Sequence, residues 1–269
     1  MLKTEMRNPS TTHISEMTTI DMVKAIQKEN INAAMAVESE LESIALAIDN
    51  ISERMKNGGR LFYIGCGTSG RLGVLDASEC PPTYGVPKDL VIGIIAGGDH
   101  ALRNAIEGAE DNAELGASDI TKFDINEKDS LVGISVAGGA RYVIGAMTKA
   151  KECGAYTVAL TSNLNTPIEN IADVAIHPDT GAEVITGSTR MKAGTAHKMI
   201  LNMISTSVMI RQGHVYENLM INLRPSNVKL EDRMVRIVRD ILSIEYDEAK
   251  KLLDENDFVI KKAIKAYNG

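Results

Sequence analysis

The stretch Gly65-Cys66-Gly67-Thr68-Ser69-Gly70-Arg71 constrains this chain more than any other. An apolar run, residues 61–64, leads into it, and a helical pattern, residues 72–77, leads out. A buried strand, a glycine-rich turn and a helix start therefore meet at one place. Glycine lets the backbone turn tightly and approach a ligand closely. The free N–H groups and positive end of the following helix favour an anion, and Thr68 and Ser69 add hydroxyl donors. Gly67, Thr68, Ser69 and Gly70 are thus the expected cradle for the phosphate of a small molecule.

Gly65, Gly67 and Gly70 also satisfy the spacing G-x-G-x-x-G. A dinucleotide site additionally wants an acidic residue at the end of the next strand, about 20 residues on. The next apolar run, residues 90–96, ends in Gly97-Gly98-Asp99. That places Asp99 too far along, and Pro81-Pro82 is expected to break the intervening crossover. A sugar phosphate or similar anion fits better than a dinucleotide.

The rest of the chain supplies a matching frame. From Arg60 onward, short runs that are apolar throughout (61–64, 90–96, 130–136, 156–160 and 174–176) alternate with helical patterns. Strands buried on both faces read this way, and the alternation predicts an α/β domain with a parallel sheet of about five strands. Ligands in such sheets bind outside the carboxyl ends of the strands, which directs attention to the loops at 65–70, 97–100, 137–141 and 161–165. Before the sheet, Thr18 or Thr19 caps one helix. A second starts near Asn32 and stops at Gly58-Gly59. Residues 1–15 are an irregular arm, readable either as a disordered tail or as a contact with a partner subunit. After the sheet, Gly187-Ser188-Thr189-Arg190 opens a long helix with apolar residues on several faces and a stop at Gly213. Three short helices (227–242, 245–253 and 257–267) end the chain. The expected division is residues 1–57 as N-terminal arm and helices, 58–224 as the sugar-phosphate domain, and 225–269 as a helical appendage.

Composition narrows the function. Of 269 residues, 44% are hydrophobic and 24% charged, ordinary for a soluble globular protein. Aromatic content is 4% with no Trp, and the net charge is −7; both argue against a nucleic-acid surface. Three cysteines form no metal-like spacing and leave one unpaired in any disulfide scheme, which fits a reducing compartment. The opening Met1-Leu2-Lys3-Thr4-Glu5 lacks an apolar signal core, and no apolar run approaches the ~20 residues of a membrane span. The expectation is a cytoplasmic protein with no metal and no membrane partner.

Three longer stretches go beyond generic pattern. They are the run from Gly65 to Gly85, which contains Asp76-Ala-Ser-Glu79-Cys-Pro-Pro; Ile106-Glu-Gly-Ala-Glu-Asp111; and Gly181-Ala-Glu-Val-Ile-Thr-Gly-Ser-Thr-Arg-Met-Lys-Ala-Gly-Thr-Ala196. Together with Arg7-Asn8-Pro9 and Asn218-Leu219-Met220, they resemble the N-acetylmuramic acid 6-phosphate etherases over about residues 4–240. More distantly the chain resembles the glucokinase regulatory protein, which shares the sugar-isomerase (SIS) fold. The resemblance implies a three-layer α-β-α sandwich and a cofactor-free reaction. In that reaction the D-lactyl ether of N-acetylmuramic acid 6-phosphate is cleaved to N-acetylglucosamine 6-phosphate and D-lactate by elimination and hydration.

Two proton-transfer groups are required by such chemistry. The resemblance places Glu79 at the acid/base position serving the lactyl oxygen and the incoming water. It places Glu110, expected at the end of the helix after strand two, at the second position, as C2 base. Glu107, one turn earlier, competes with Glu110. Gly138, Gly139, Arg141, Glu183, Ser188 and Thr189 complete the expected substrate-binding set, although Ser188 and Thr189 are read first as caps of the long helix. His197 reads as a packed polar side chain, and His100 stands at a strand end. The alternative function is a non-catalytic sugar-phosphate sensor. The expected assembly is a homodimer with its site near the interface. One loop departs from the family: Ala137, Gly139 and Ala140 stand where Ser, Arg and Thr are usual, which removes hydroxyls from the expected phosphate site.

Overall fold

The computed structural model describes residues 2–268 other than Arg224 and Ser226. Met1 and Arg224, which enter the readings of the N-terminus and of the core boundary, lie outside the described residues. The chain forms two compact units, residues 1–77 with 89–208 and residues 78–88 with 209–269.

In the first unit, β1 (Leu61–Gly65), β2 (Val91–Ile95), β3 (Ser130–Ile134), β4 (Tyr156–Leu160) and β5 (Val174–Ile176) form one sheet. The order is β2-β1-β3-β4-β5 and every pairing is parallel. Every residue of β1, β3 and β4 is buried, as expected for strands covered on both faces. The chain leaves β1, adds β2 on one side, then returns to add β3 on the other. The strand order therefore reverses between β1 and β3. Gly65 is level with Ile95 on one side and Ile134 on the other, so these strands end together.

Helices cover the sheet on both faces, and its three-layer α-β-α build matches the expected SIS-type sandwich. α1 (Thr19–Glu38) and α2 (Leu41–Lys56) precede the sheet, and α2 packs on β4 and β5. On one face Phe62, Ile64 and Leu131 pack against Ile120 of α5 (Ala113–Thr121) and Tyr142, Val143 and Met147 of α6 (Arg141–Glu152). Each fully buried side chain of this size contributes about 1.5–3 kcal/mol. On the other face lies α3 (Gly67–Tyr84), where a Cβ on Gly73 would stand 2.8 Å from the Tyr63 Cβ. A one-turn helix, α4 (His100–Arg103), follows β2. The long helix after the sheet is α7 (Lys192–Arg211).

Four local expectations are corrected. α1 runs unbroken to Glu38 and the chain turns at Ser39-Glu40. No glycine or proline marks that turn; it is held by the Glu40 carboxylate accepting the His177 amide at 3.0 Å. α3 passes through Pro81 and Pro82 to Tyr84. The two prolines fall in its last turns, so they remove two intrahelical bonds without ending the helix. β3 stops at Ile134 rather than 136, because Ser135 and Val136 turn to exchange bonds with Leu160 and Ser162. The N-terminal arm is not a free tail; it is bonded to the sheet unit. The Thr11 hydroxyl donates to the Val184 carbonyl at 2.8 Å, Asn8 donates to that of Ala182 at 3.2 Å, and Asn163 donates to the Thr4 hydroxyl at 3.0 Å.

The second unit is built around α8 (Val228–Leu242), α9 (Tyr246–Asp254) and α10 (Ile260–Asn268), with a two-strand hairpin of β6 (Val215–Tyr216) and β7 (Leu219–Met220). Met234, Val238, Leu253, Ile260 and Ala263 form its core. The Asn227 side chain caps α8 by accepting the Leu230 amide at 2.9 Å, and Ser243 ends that helix in a left-handed conformation. The three helices match the expected positions closely; residues 209–223 join them rather than the sheet. Among the described residues no helix is long and apolar enough to cross a membrane.

Candidate active site

A cavity of about 350 Å³ lies where the strand order reverses, outside the carboxyl ends of β1 and β3. Cys66, Gly67, Thr68 and Ser69 form one wall. The turn that carries them is very tight: a Cβ on Gly70 would fall 2.6 Å from the Gly65 carbonyl oxygen. The Gly70 amide closes the first turn on the Cys66 carbonyl at 3.2 Å. The amides of the residues before it have no partner within the helix, and those residues line the cavity.

The turn after β3 forms the opposite wall through Ser135, Ala137, Gly139 and Ala140. α6 begins here with no side-chain cap, so a second helix N-terminus meets the same space. Three donors converge on the Val136 carbonyl and hold this turn: the Ser162 amide (3.0 Å), the Thr161 hydroxyl (3.0 Å) and Asn163 Nδ2 (2.9 Å). Gly138 lies beneath it at φ +69°, where an added Cβ would stand 2.2 Å from Thr166. Glycine is required there on both counts.

The third wall comes from Thr189 and Gly194 at the approach to α7. Gly194 lets that helix pass close to the cradle, with the Thr68 methyl 3.5 Å from where a Cβ would be. The start of α7 is fixed from beneath. Glu183, fully buried, accepts the Lys192 and Ala193 amides at 3.0 Å each. Lys192 in turn forms a buried ion pair with Glu29. Burial alone would raise the Glu29 carboxyl, but the bonds from Lys192, Asn8 and Ser10 outweigh it and hold the group below its ordinary value.

Glu110 and Asp111 close the rim. Beside them, burial pushes the Cys66 thiol up to about 12, with Glu110 and Asp111 adding to the effect. Cys66 is therefore a neutral wall, not a nucleophile. Among the described residues lining this cavity there is no lysine or arginine. Its capacity for an anion comes from two helix N-termini and the hydroxyls of Thr68, Ser69, Ser135 and Thr189. Together these attract negative charge as a single cationic side chain would.

Several expected site residues stand elsewhere. Glu110 is not at a helix end; it lies in the loop between α4 and α5, exposed, and Glu107 lines only a neighbouring cavity. Glu79 is exposed on α3, and Arg141 is exposed at the first turn of α6; neither is among the residues lining the cavity. Ser188 does not line it either, and the cap expected from Ser188 or Thr189 is supplied by Glu183 instead, whose two oxygens are committed to amides. Arg71 is also committed, donating to the carbonyls of Ala101 (2.7 Å), Leu102 (2.9 Å) and Asn104 (3.1 Å). His197 is fully buried against Ser162, and burial takes its imidazole down to about 3. Ser135 and Asp111 line the cavity although neither stood out in the sequence. Ser135 was hidden because the apolar run reads on to residue 136, whereas the strand ends at Ile134.

A switch-point cavity walled by two helix N-termini in a five-strand parallel sandwich is the arrangement of an SIS-type domain. Residues 43–151 match the glucokinase regulatory protein N-terminal SIS domain family. The fold is also that of a phosphoheptose isomerase from Francisella tularensis, with TM-score 0.55, 20% identity and coverage of 72% of this chain and 100% of that one. The chain belongs to the N-acetylmuramic acid 6-phosphate etherase family. It is 54% identical to the protein of that name from Caldanaerobacter subterraneus subsp. tengcongensis and 51% identical to that of Clostridium beijerinckii. Each alignment covers 98% of this chain and 86% of the relative.

Proposed function

We propose that this protein is an N-acetylmuramic acid 6-phosphate etherase, releasing D-lactate and N-acetylglucosamine 6-phosphate. The observation that carries the reading is the convergence of the α3 and α6 N-termini on a cavity whose rim holds Glu110. The phosphate sits against the amides of residues 67–69 and 139–140 and the hydroxyls of Thr68, Ser69 and Thr189. Ser135 supports the reading further, because it offers a hydroxyl in the loop where Ala137 offers none. The sugar then extends from the phosphate toward Glu110.

In the reaction, Glu110 takes the C2 proton of the open-chain sugar. The C2–H electron pair forms the C2–C3 double bond, and the C3–O bond breaks toward the lactyl oxygen. An acid protonates that oxygen as D-lactate leaves. Water then adds at C3 and a proton returns to C2. Glu79 is the proposed acid, and its exposure outside the one-chain cavity favours its arrival from a second copy in a homodimer. The protein is proposed to work in the cytoplasm, on an amino-sugar phosphate.

Incubation with N-acetylmuramic acid 6-phosphate should release D-lactate. Tight sugar-phosphate binding without lactate would instead favour a sensor. Mixing inactive Glu79→Gln and Glu110→Gln subunits should restore part of the activity; no recovery in mixed dimers would remove the shared-site assignment.

A further inference from the structure

A second cavity, about 360 Å³, adjoins the first and shares Cys66, Gly67 and Glu110 with it. Glu110 thus stands on the partition between them. The remaining wall is mostly methyl-bearing, with Ala96, Ala101, Ala105, Ile106 and Ala109. Three polar side chains also line it: Arg71, Asn104 and Glu107. Arg71 is occupied by three carbonyls of the α4 end. Asn104 donates through Nδ2 to the His100 carbonyl at 3.2 Å, and among the described residues nothing donates to its Oδ1.

Resting on the etherase reading, we propose that this second cavity binds the 2-acetamido group of the substrate. Three arguments meet here. Glu110 reaches C2 from the partition, so the C2 substituent leaves the reacting carbon beside the second cavity. The open Asn104 Oδ1 accepts an amide N–H, and the alanine and isoleucine wall takes the acetyl methyl. Charge then decides between the two substituents near C2. The lactyl group carries a carboxylate, whereas this cavity presents the carboxylates of Glu107 and Glu110 and a guanidinium already engaged. A neutral amide suits it and an anion does not.

Two variants and two kinds of ligand test the assignment. Wild-type protein should bind N-acetylglucosamine 6-phosphate at least tenfold more tightly than glucose 6-phosphate, and Asn104→Ala should lose most of that preference. Ile106→Ala enlarges the wall and should raise kcat/KM for the N-propionyl substrate relative to the N-acetyl one by about tenfold, the scale of one methylene in a pocket. Ratios unchanged within about twofold in both variants would overturn the proposal. So would a shift in discrimination between 3-O-lactyl and 3-O-glycolyl ethers in its place. The binding arm needs no turnover: wild type that prefers the N-acetyl sugar yet releases no lactate would sink the etherase reading and keep this one. Lactate release with no acyl discrimination would do the reverse.

Discussion

The backbone carbonyl of Glu110 accepts the Tyr142 amide at 2.9 Å. The segment carrying the proposed base is thereby tied to the first turn of α6, one of the two helices that face the phosphate position. The proposed binding and proton-transfer groups thus share a main-chain strut, and among the described residues no hydrogen bond or ion pair engages the Glu110 carboxylate.

That division makes Glu110→Gln a clean test. The substitution keeps the carbonyl and its bond to Tyr142, and the side chain is exposed. Thermal stability should therefore change by less than about 0.5 kcal/mol. Turnover should fall by about 10²–10⁴-fold, the usual share of one acid/base group. Wild-type kcat in a steady-state lactate assay would refute the role.

Glu183→Ala should act on stability first. It strips two buried amides of their acceptor and leaves the Lys192–Glu29 pair with a disturbed neighbour. The expected cost is about 2–4 kcal/mol, from charge-assisted bonds of about 1.5–3 kcal/mol. The check is the urea midpoint, with Glu183→Gln expected to recover part of the loss because its amide oxygen still accepts one N–H.

Ala137→Ser returns one hydroxyl to the α6 cradle, where Ala137 already lines the cavity. A new bond to a phosphate dianion should lower KM by about tenfold or more, from about 1.5–3 kcal/mol per such bond. kcat should change less. Calorimetry of sugar-phosphate binding with no gain in affinity would mean the phosphate lies nearer the α3 wall than Ala137.

His197 predicts a pH dependence of folding. Burial holds its imidazole at about 3, against 6.5 for an ordinary histidine. Between those values the unfolded chain carries a proton that the folded chain lacks, so unfolding gains as pH falls. Stability from this residue is complete above about pH 6.5 and declines below it, by at most about 1.4 kcal/mol per pH unit. His197→Met removes the titration. Urea midpoints between pH 6.5 and 5 should then vary less with pH than in the wild type, and an equal slope would refute the account.

The sequence made the first wall of the site legible because everything there is local. A buried strand, three glycines and two hydroxyls fall within ten residues, and glycine requirements show directly in the sequence. The sheet was legible for the same reason, since strands buried on both faces are made almost wholly of apolar residues; Ser130 and Thr157 are the buried polar exceptions in β3 and β4. What stayed hidden is made by distant partners. Glu183 looked like a ligand for sugar, and only the fold reveals that the amides it serves lie nine and ten positions later, inside a closed core. Arg71 ended a phosphate-loop motif but spends its guanidinium on carbonyls some thirty residues away. The turn at Ser39-Glu40 carried no breaker because its cause, the His177 amide, belongs to the far end of the sheet. Glu110 was expected at a helix end and stands in a loop instead, since a long connection between two short helices has no periodicity to read.

The cradle is made of peptide groups, and that bears on how the protein can change. An amide N–H belongs to every residue but proline, so a grip built from amides survives when the side chains around it are exchanged. This explains how Ala137, Gly139 and Ala140 can stand in the second turn while the cavity keeps its anion-attracting character. A conventional alanine scan would pass over such a site almost silently. The substitutions that reveal it are those that remove the N–H or forbid the turn: proline at 68 or 139, or any side chain at Gly138. Evolution is free to rewrite the letters of this loop as long as the path of the chain is preserved.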